Sequence, residues 1–228
     1  MARANNRRGG TLRRRAARLE PDKRRAQLLD CAFHVIAKAG AQAASAATVA
    51  EEAGVSEATV FKYFPDKRAL NLAVIERLGA HFRSIFDRIE KARKEALDVL
   101  VDYAVAFAAE LERHPEYARL LLDQGAALLD PSLRQVIESN VTEMAQRVEK
   151  TIRRGITEGS IRAEVDAEIA AWIYVGNYSS LAQAKVFGRP AEWIYRVQLT
   201  SLQGLIRRPI NMARGGKRVP PSAEGAVR

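Results

Sequence analysis

The chain is predicted to be all-α, with three short helices leading into a longer helical body. Apolar residues recur at spacings of three and four over long stretches, whereas alternating β-branched runs are few and two-residue hairpin signals are missing. Residues that open or close helices stand at the edges of those stretches: Pro21, Ser45, Ser56 and Asp130-Pro131 at starts, Gly40, Gly54 and Gly159 at ends.

The first helix is placed from Pro21, a residue suited to a first turn, to Gly40, with Leu29, Ala32, Phe33 and Ile36 as its apolar stripe. A short helix follows over 45–53, capped by Ser45, with Val49 and Ala50 facing inward. Gly54-Val55 breaks it, Ser56 caps a third helix through Phe64, and Pro65-Asp66 starts a long fourth helix to about Lys91. Beyond it, Leu97, Leu100, Ala104, Phe107 and Leu111 mark a helix that stops near Pro115. Asp130-Pro131 opens another, with Leu133, Ile137, Val141, Met144, Val148, Ile152 and Ile156 on one side and an end around Gly159. Two last helices are expected over 166–187 and 191–207, separated by Gly188-Arg189-Pro190. Residues 1–19 and 209–228 hold too few large apolar side chains to offset their ordering entropy and are expected to be a flexible basic arm and tail.

Among 228 residues, 47% are hydrophobic, enough for a well-buried core. No apolar run nears the roughly 18 residues that a membrane span needs. Even the stretch from Leu97 to Leu111 is interrupted by Asp98, Asp102 and Glu110. The arginine-rich start lacks the apolar segment of a secretion signal, and Cys31, being alone, can form neither an internal disulfide nor a multi-cysteine metal site. The expectation is a cytoplasmic protein without a cofactor. Its net charge of +10 is uneven: residues 1–25 carry ten Arg or Lys against two acids, and residues 207–228 carry six against one. A mildly acidic body with basic ends suits attachment to a polyanion, of which nucleic acid is the commonest; a pair of solvated tails is the other reading.

The informative segment is Ala50-Glu51-Glu52-Ala53-Gly54-Val55-Ser56-Glu57-Ala58-Thr59-Val60-Phe61-Lys62-Tyr63-Phe64. A short helix, a glycine free to take a positive φ, an apolar residue that locks the turn and a capped second helix together describe a helix-turn-helix. Val49, Ala53, Val55 and Val60 would be its small core, and Val60 with Phe64 would leave Glu57, Ala58, Thr59, Lys62 and Tyr63 facing outward. Such a short, mixed-polar face suits insertion into the major groove of double-stranded DNA, although a purely structural helix pair has the same pattern.

The run from Arg25 to Leu70, with Ala32, Gly40, Ser45, Val49-Ala50, Ala53-Gly54-Val55-Ser56, Thr59-Val60-Phe61, Tyr63-Phe64, Lys67 and Leu70, resembles the DNA-binding domain of the TetR family of transcriptional regulators. Within that family, Pro21 to Arg25 and Ala58 to Pro65 are similar to the LuxR/HapR/SmcR branch. The resemblance implies a DNA-binding domain over 20–68, an effector-binding and dimerisation domain over 69–208, and a recognition helix from Ser56 to Phe64. It implies that Thr59 and Lys62 face base edges or nearby phosphates, that Tyr63 touches the backbone or a thymine methyl, and that Lys67 binds phosphate. Ser45, Ser56, Glu57 and Ala58 complete the expected DNA-facing set, and some of Arg13, Arg14, Arg15 and Arg18 are expected to reach the minor groove. Three departures limit the transfer: Ala46 and Ala47 stand where many members place polar contacts, Phe61 lacks the hydroxyl of the frequent tyrosine, and Lys62 replaces the amide usual in the branch.

One short recognition helix reads few base pairs, so a homodimer on a palindromic site is expected, with recognition helices about 34 to 36 Å apart or a multiple of that. The resemblance places dimerisation on the last two helices. There Gly176, Ser180, Ala184 and Gly188 form a small-residue stripe, beside which Trp172, Trp193, Ile194, Val197, Leu202 and Leu205 offer apolar anchors; the same stripe could instead pack inside the monomer. A small-molecule effector is expected among the middle helices. Phe107, Tyr117, Met144, Trp172, Tyr174 and Tyr178 are candidate walls and Gln124, Asn140 and Asn177 candidate orienting amides, though core packing accounts for the apolar ones equally well. His34, His81 and His114 are scattered, and neither a phosphate loop nor a GxSxG elbow occurs, so no enzymatic activity is expected. Rival readings are an architectural or nucleoid-associated DNA binder with the same fold and a peripheral membrane binder held by its basic ends.

Overall fold

The computed structural model describes residues 20–204 apart from 93, 128 and 129, and for 41 and 123–127 the backbone alone. All the regular structure among the described residues is helical apart from an isolated bridge at Ile161. Three helices come first: α1 (Pro21–Ala39), α2 (Ala46–Ala53) and α3 (Glu57–Tyr63), with a 3-10 turn at Ala41–Ala43 between α1 and α2. Then follow α4 (Lys67–Glu90), α5 (Ala96–Arg113), α6 (Pro115–Ala127), α7 (Pro131–Glu158), α8 (Ala167–Val186) and α9 (Ala191–Gln203).

The ends of these helices follow from side-chain chemistry. Ser45 opens α2 in a reciprocal cap, its hydroxyl accepting from Thr48 N at 3.2 Å while its own N–H donates to Thr48 Oγ1 at 2.9 Å. Asp66 opens α4 by accepting from Ala69 N at 2.7 Å, and Asp130 and Asp166 do the same for α7 and α8. The carboxyl of Asp130 is held below the usual aspartate range by two backbone N–H groups and Arg68, which outweigh its desolvation. As expected, α5 stops just before Pro115, and because a proline at a helix's first position loses no hydrogen bond, a new helix can start there at once. The same residue that ends α5's continuation opens α6, a helix not anticipated from the sequence.

A main core runs through the described residues, with a smaller apolar cluster between α4 and α7, and a chain of aromatic rings follows the main core. Tyr174 meets Tyr178 on α8 (centroids 5.3 Å apart), Tyr178 meets Phe107 on α5 (4.1 Å), Phe107 meets Phe82 on α4 (5.0 Å), Phe82 meets Tyr117 on α6 (5.9 Å), and Tyr117 meets Phe33 on α1 (5.6 Å). Alongside, α4 and α7 lie parallel in register. Arg68 pairs with Asp130 (3.1 Å), Ile75 packs with Leu133 and Ile137, Arg83 reaches Asn140 (2.5 Å) and Glu143 (3.4 Å), and Asp87 pairs with Arg147. At Gly79 an added Cβ would overlap the Asn140 side chain. Because α4 begins at Lys67, one rigid helix carries both the first unit and this long packed seam.

Candidate nucleic-acid interface

The turn before α3 fixes how that helix stands. Gly54 adopts φ 65° and ψ 33°, a left-handed conformation that a side chain would strain, and Val55 N donates back to Ala50 O at 3.0 Å. The chain therefore leaves α2 sharply. Ser56 then caps α3, accepting from Thr59 N at 3.2 Å. Val60 and Phe64 are buried, at 1% and 2% exposure, and hold the helix by one side.

The opposite side is bare. Ser56, Glu57, Ala58, Phe61 and Lys62 are exposed, while Thr59 and Tyr63 sit half-buried on the flank. Thr59 already shares its hydroxyl with Ser56 Oγ at 3.0 Å, and Tyr63 packs partly against the core. Two hollows of about equal volume flank the ridge. One, of about 650 Å³, is lined by Glu20, Pro21, Arg24, Ser56, Ala58, Thr59, Lys62 and Tyr63. The other, also about 650 Å³, is lined by Ala47, Ala50, Glu51, Gly54, Val55, Ser56 and Glu57. A ridge one helix wide between two hollows is the relief that a major groove about 12 Å wide and its bordering phosphate strands would fit.

Other expected DNA-facing residues are placed as follows. Ser45 is half-buried, its hydroxyl engaged at the α2 cap. Lys67 is exposed, and its Nζ donates to Gln42 O at 3.0 Å, tying the 3-10 turn to α4. Arg25, which the sequence singles out only through the family resemblance, is exposed with its guanidinium 5.2 Å from the Phe64 ring centre, beneath α3. Arg13, Arg14, Arg15 and Arg18 lie outside the described residues.

The expected ligand walls are brought together only in part. Phe107, Tyr174 and Tyr178 are buried in one aromatic cluster, Met144 is buried, and half-buried Tyr117 joins the cluster through Phe82. Three of the expected residues stand elsewhere. Trp172 is 45% exposed on the outer side of α8, Asn177 donates from an amide to Ser201 Oγ on α9 (3.1 Å), and Asn140 is spent between Arg83 and Ile75 O. For Gln124 the backbone alone is described. Apolar periodicity marks a face but not which of two faces turns inward, and α8 is apolar on both.

The cluster contains two polar groups that the sequence did not single out. Tyr103 stands against Tyr178, and Gln198 of α9, wholly buried, donates to Tyr174 O at 2.9 Å. Tyr174 donates to Leu100 O at 2.6 Å. The Tyr178 hydroxyl lies near Tyr174 and Gln198 yet makes no well-aligned hydrogen bond, and Gln198 Oε1 is also unpartnered. Burial pushes the hydroxyls of Tyr103, Tyr174 and Tyr178 well above the usual tyrosine range, so all three stay neutral donors.

On α8 the exposed stripe runs Ile169, Trp172, Ile173, Gly176, Ser179, Ser180, Gln183, Val186 and Phe187, and Trp193 of α9 is exposed beside it. Ile194 and Leu202, expected as interface anchors, are instead sealed in the monomer core at 0% and 1%, and Leu205 lies outside the described residues. Among the described residues no group of three or more His, Cys, Asp or Glu could hold a metal ion, and no helix is long and apolar enough to cross a membrane.

Known proteins resemble the first unit in sequence and the described residues in fold. Residues 28–74 match the family described as bacterial regulatory proteins, tetR family. The nucleoid occlusion factor SlmA of Vibrio vulnificus is 29% identical over 143 residues, which cover 61% of this chain and 69% of that protein. A TetR-family transcriptional regulator from Agrobacterium tumefaciens superposes with a TM-score of 0.73 at 15% identity, over 82% of this chain and all of that one. A Saccharomonospora viridis protein solved in complex with choline superposes with a TM-score of 0.72 at 20% identity, over 82% and 100% of the two chains. The helix-turn-helix domain of this chain belongs to the tetR family of bacterial regulatory proteins, and its described residues as a whole have that family's fold.

Proposed function

We propose that the protein is a sequence-specific transcriptional regulator that grips a palindromic operator as a homodimer and responds to a small molecule, and that it is not an enzyme. The single observation that carries the DNA reading is the α3 ridge, with Ala58 and Lys62 bare on the side opposite buried Val60 and Phe64 and Glu57 exposed at its start. Lys62 and Tyr63 border one hollow, which suits a phosphate strand, while the exposed side of α3 beside it reads bases. Lys67 and the arginines at 13, 14, 15 and 18 add phosphate and minor-groove contacts. DNA-binding and effector parts meet near residue 68, within α4.

The dimer reading rests on the outer stripe of α8. Ile169, Trp172 and Ile173 at one end and Val186 and Phe187 at the other are too large and too apolar to be left in water, and between them Gly176, Ser179 and Ser180 leave a smooth waist where a second helix could cross closely. For the effector, the support is the neutral tyrosine cluster with its two unpartnered polar atoms, in a fold whose Saccharomonospora viridis example was solved with choline. An effector changes operator affinity only by binding the two arrangements of the recognition helices unequally. The SlmA relatives favour a second reading, a nucleoid-associated DNA binder that acts without controlling a promoter.

Selection of duplexes from a random pool with purified full-length protein tests the main reading. Two half-sites related by a two-fold axis are expected, with Lys62→Ala losing affinity for them. Indifference to sequence would overturn it, and occupancy of many chromosomal sites with unaltered transcript levels in a deletion strain would favour the second.

A further inference from the structure

Seven large apolar side chains are exposed among the described residues, and six of them belong to α8, its C-terminal cap and α9. The seventh is Phe61, 44% exposed on α3. We propose that Phe61 is a specificity residue, its phenyl ring lying against the C5-methyl group of a thymine in the operator's major groove. The inference rests on the reading of α3 as the helix that enters DNA.

The argument is one of chemical matching. A phenyl ring offers neither charge nor a hydrogen-bond donor, so it gains nothing from a phosphate oxygen. Moreover Glu57, one helical turn earlier on the same side of α3, is an exposed carboxylate that repels phosphate and can accept from a cytosine amino group. Within the major groove the apolar feature on offer is the thymine methyl. Ala58, three residues before Phe61 and also exposed, is small enough to leave the ring room to reach a base edge. Fold maintenance does not explain Phe61, since Val60 and Phe64 already supply the buried face of so short a helix. The exposed residues of α3 are thus a carboxylate, an apolar strip of Ala58 and Phe61, and the Lys62 ammonium, in that order along the chain.

The test is a cycle between protein and base. In the selected operator each thymine is replaced in turn by deoxyuridine, which deletes the methyl group and keeps the base pairing. For the unmodified protein, one such position in each half-site is expected to cost about fourfold in affinity, the worth of one buried methyl-sized group, and about 16-fold when both half-sites are changed. Phe61→Ala should bind the thymine and deoxyuridine duplexes equally, whereas Phe61→Leu should keep part of the preference. Thermal melting of each variant at the wild-type temperature would establish that the fold is intact, as expected for an exposed position. A half-site without thymine, or equal methyl sensitivity in the wild type and Phe61→Ala at every position, would overturn the assignment while leaving DNA binding in place. Failure to select any duplex would remove the DNA reading itself and this inference with it.

Discussion

Tyr174 and Tyr178 stand one turn apart on α8, and their hydroxyls have opposite surroundings. The first donates to Leu100 O at 2.6 Å; the second is buried without a well-aligned partner. Tyr174→Phe is therefore expected to lower unfolding free energy by about 1 kcal/mol, whereas Tyr178→Phe should leave it unchanged or raise it by up to about 1 kcal/mol. Denaturant melts decide between them, and an equal loss from both would mean that Tyr178 has a firm partner. A second residue-scale test concerns the contact of Gly79 on α4 with Asn140 on α7. Gly79→Ala should cost about 1 to 3 kcal/mol through overlap with Asn140, and Asn140→Ala in the same chain should recover part of that loss. At this scale the sequence was most legible where backbone chemistry is local. The positive φ of Gly54 and the caps of Ser45, Ser56 and Asp130 are properties of a residue and its near neighbours. Asn140 and Gln198 were not legible as helix-to-helix links, because each is an amide whose partner lies on a different helix more than twenty residues away.

At the scale of elements, the helix-turn-helix was readable because its burial pattern is short and one-sided, with Val49, Ala50 and Val60 inside and Lys62 out. The last helices were harder. On α8, buried Ala170, Ala171, Tyr174, Tyr178 and Leu181 alternate around the axis with exposed Ile169, Trp172 and Ile173, so composition alone could not say which set faces the monomer's own core. Once the faces are known, α8 becomes testable as an element. Ile173→Glu, which adds charge at a position 56% exposed, should leave the helical circular dichroism intact while shifting sedimentation toward a monomer and weakening operator binding. A variant that stays dimeric would move the interface off this face. The unanticipated α6 teaches the complementary point, that proline marks a boundary without saying whether a helix is ending or beginning.

For the whole molecule, charge and packing act at different ranges. The ten basic residues among the first 25 would give a long-range pull toward DNA, so deletion of residues 1–19 should flatten the dependence of log affinity on log salt by roughly 0.9 for each phosphate that the shortened chain no longer neutralises. An unchanged slope in a salt titration would show that this segment does not touch the duplex. Packing works at close range, and the ring chain from Tyr174 to Phe33 joins the aromatic cluster to α1 through close-packed neighbours with little room to give. The outer stripe of α8 has a further effect. If it is covered only by another protomer, each chain serves as a ligand for its twin, and mass action enters both folding and gene control. The temperature of half-unfolding should then climb as the solution is made more concentrated. Operator occupancy in a cell should rise more steeply than in proportion to the number of copies made, so a modest fall in synthesis would empty the promoter disproportionately.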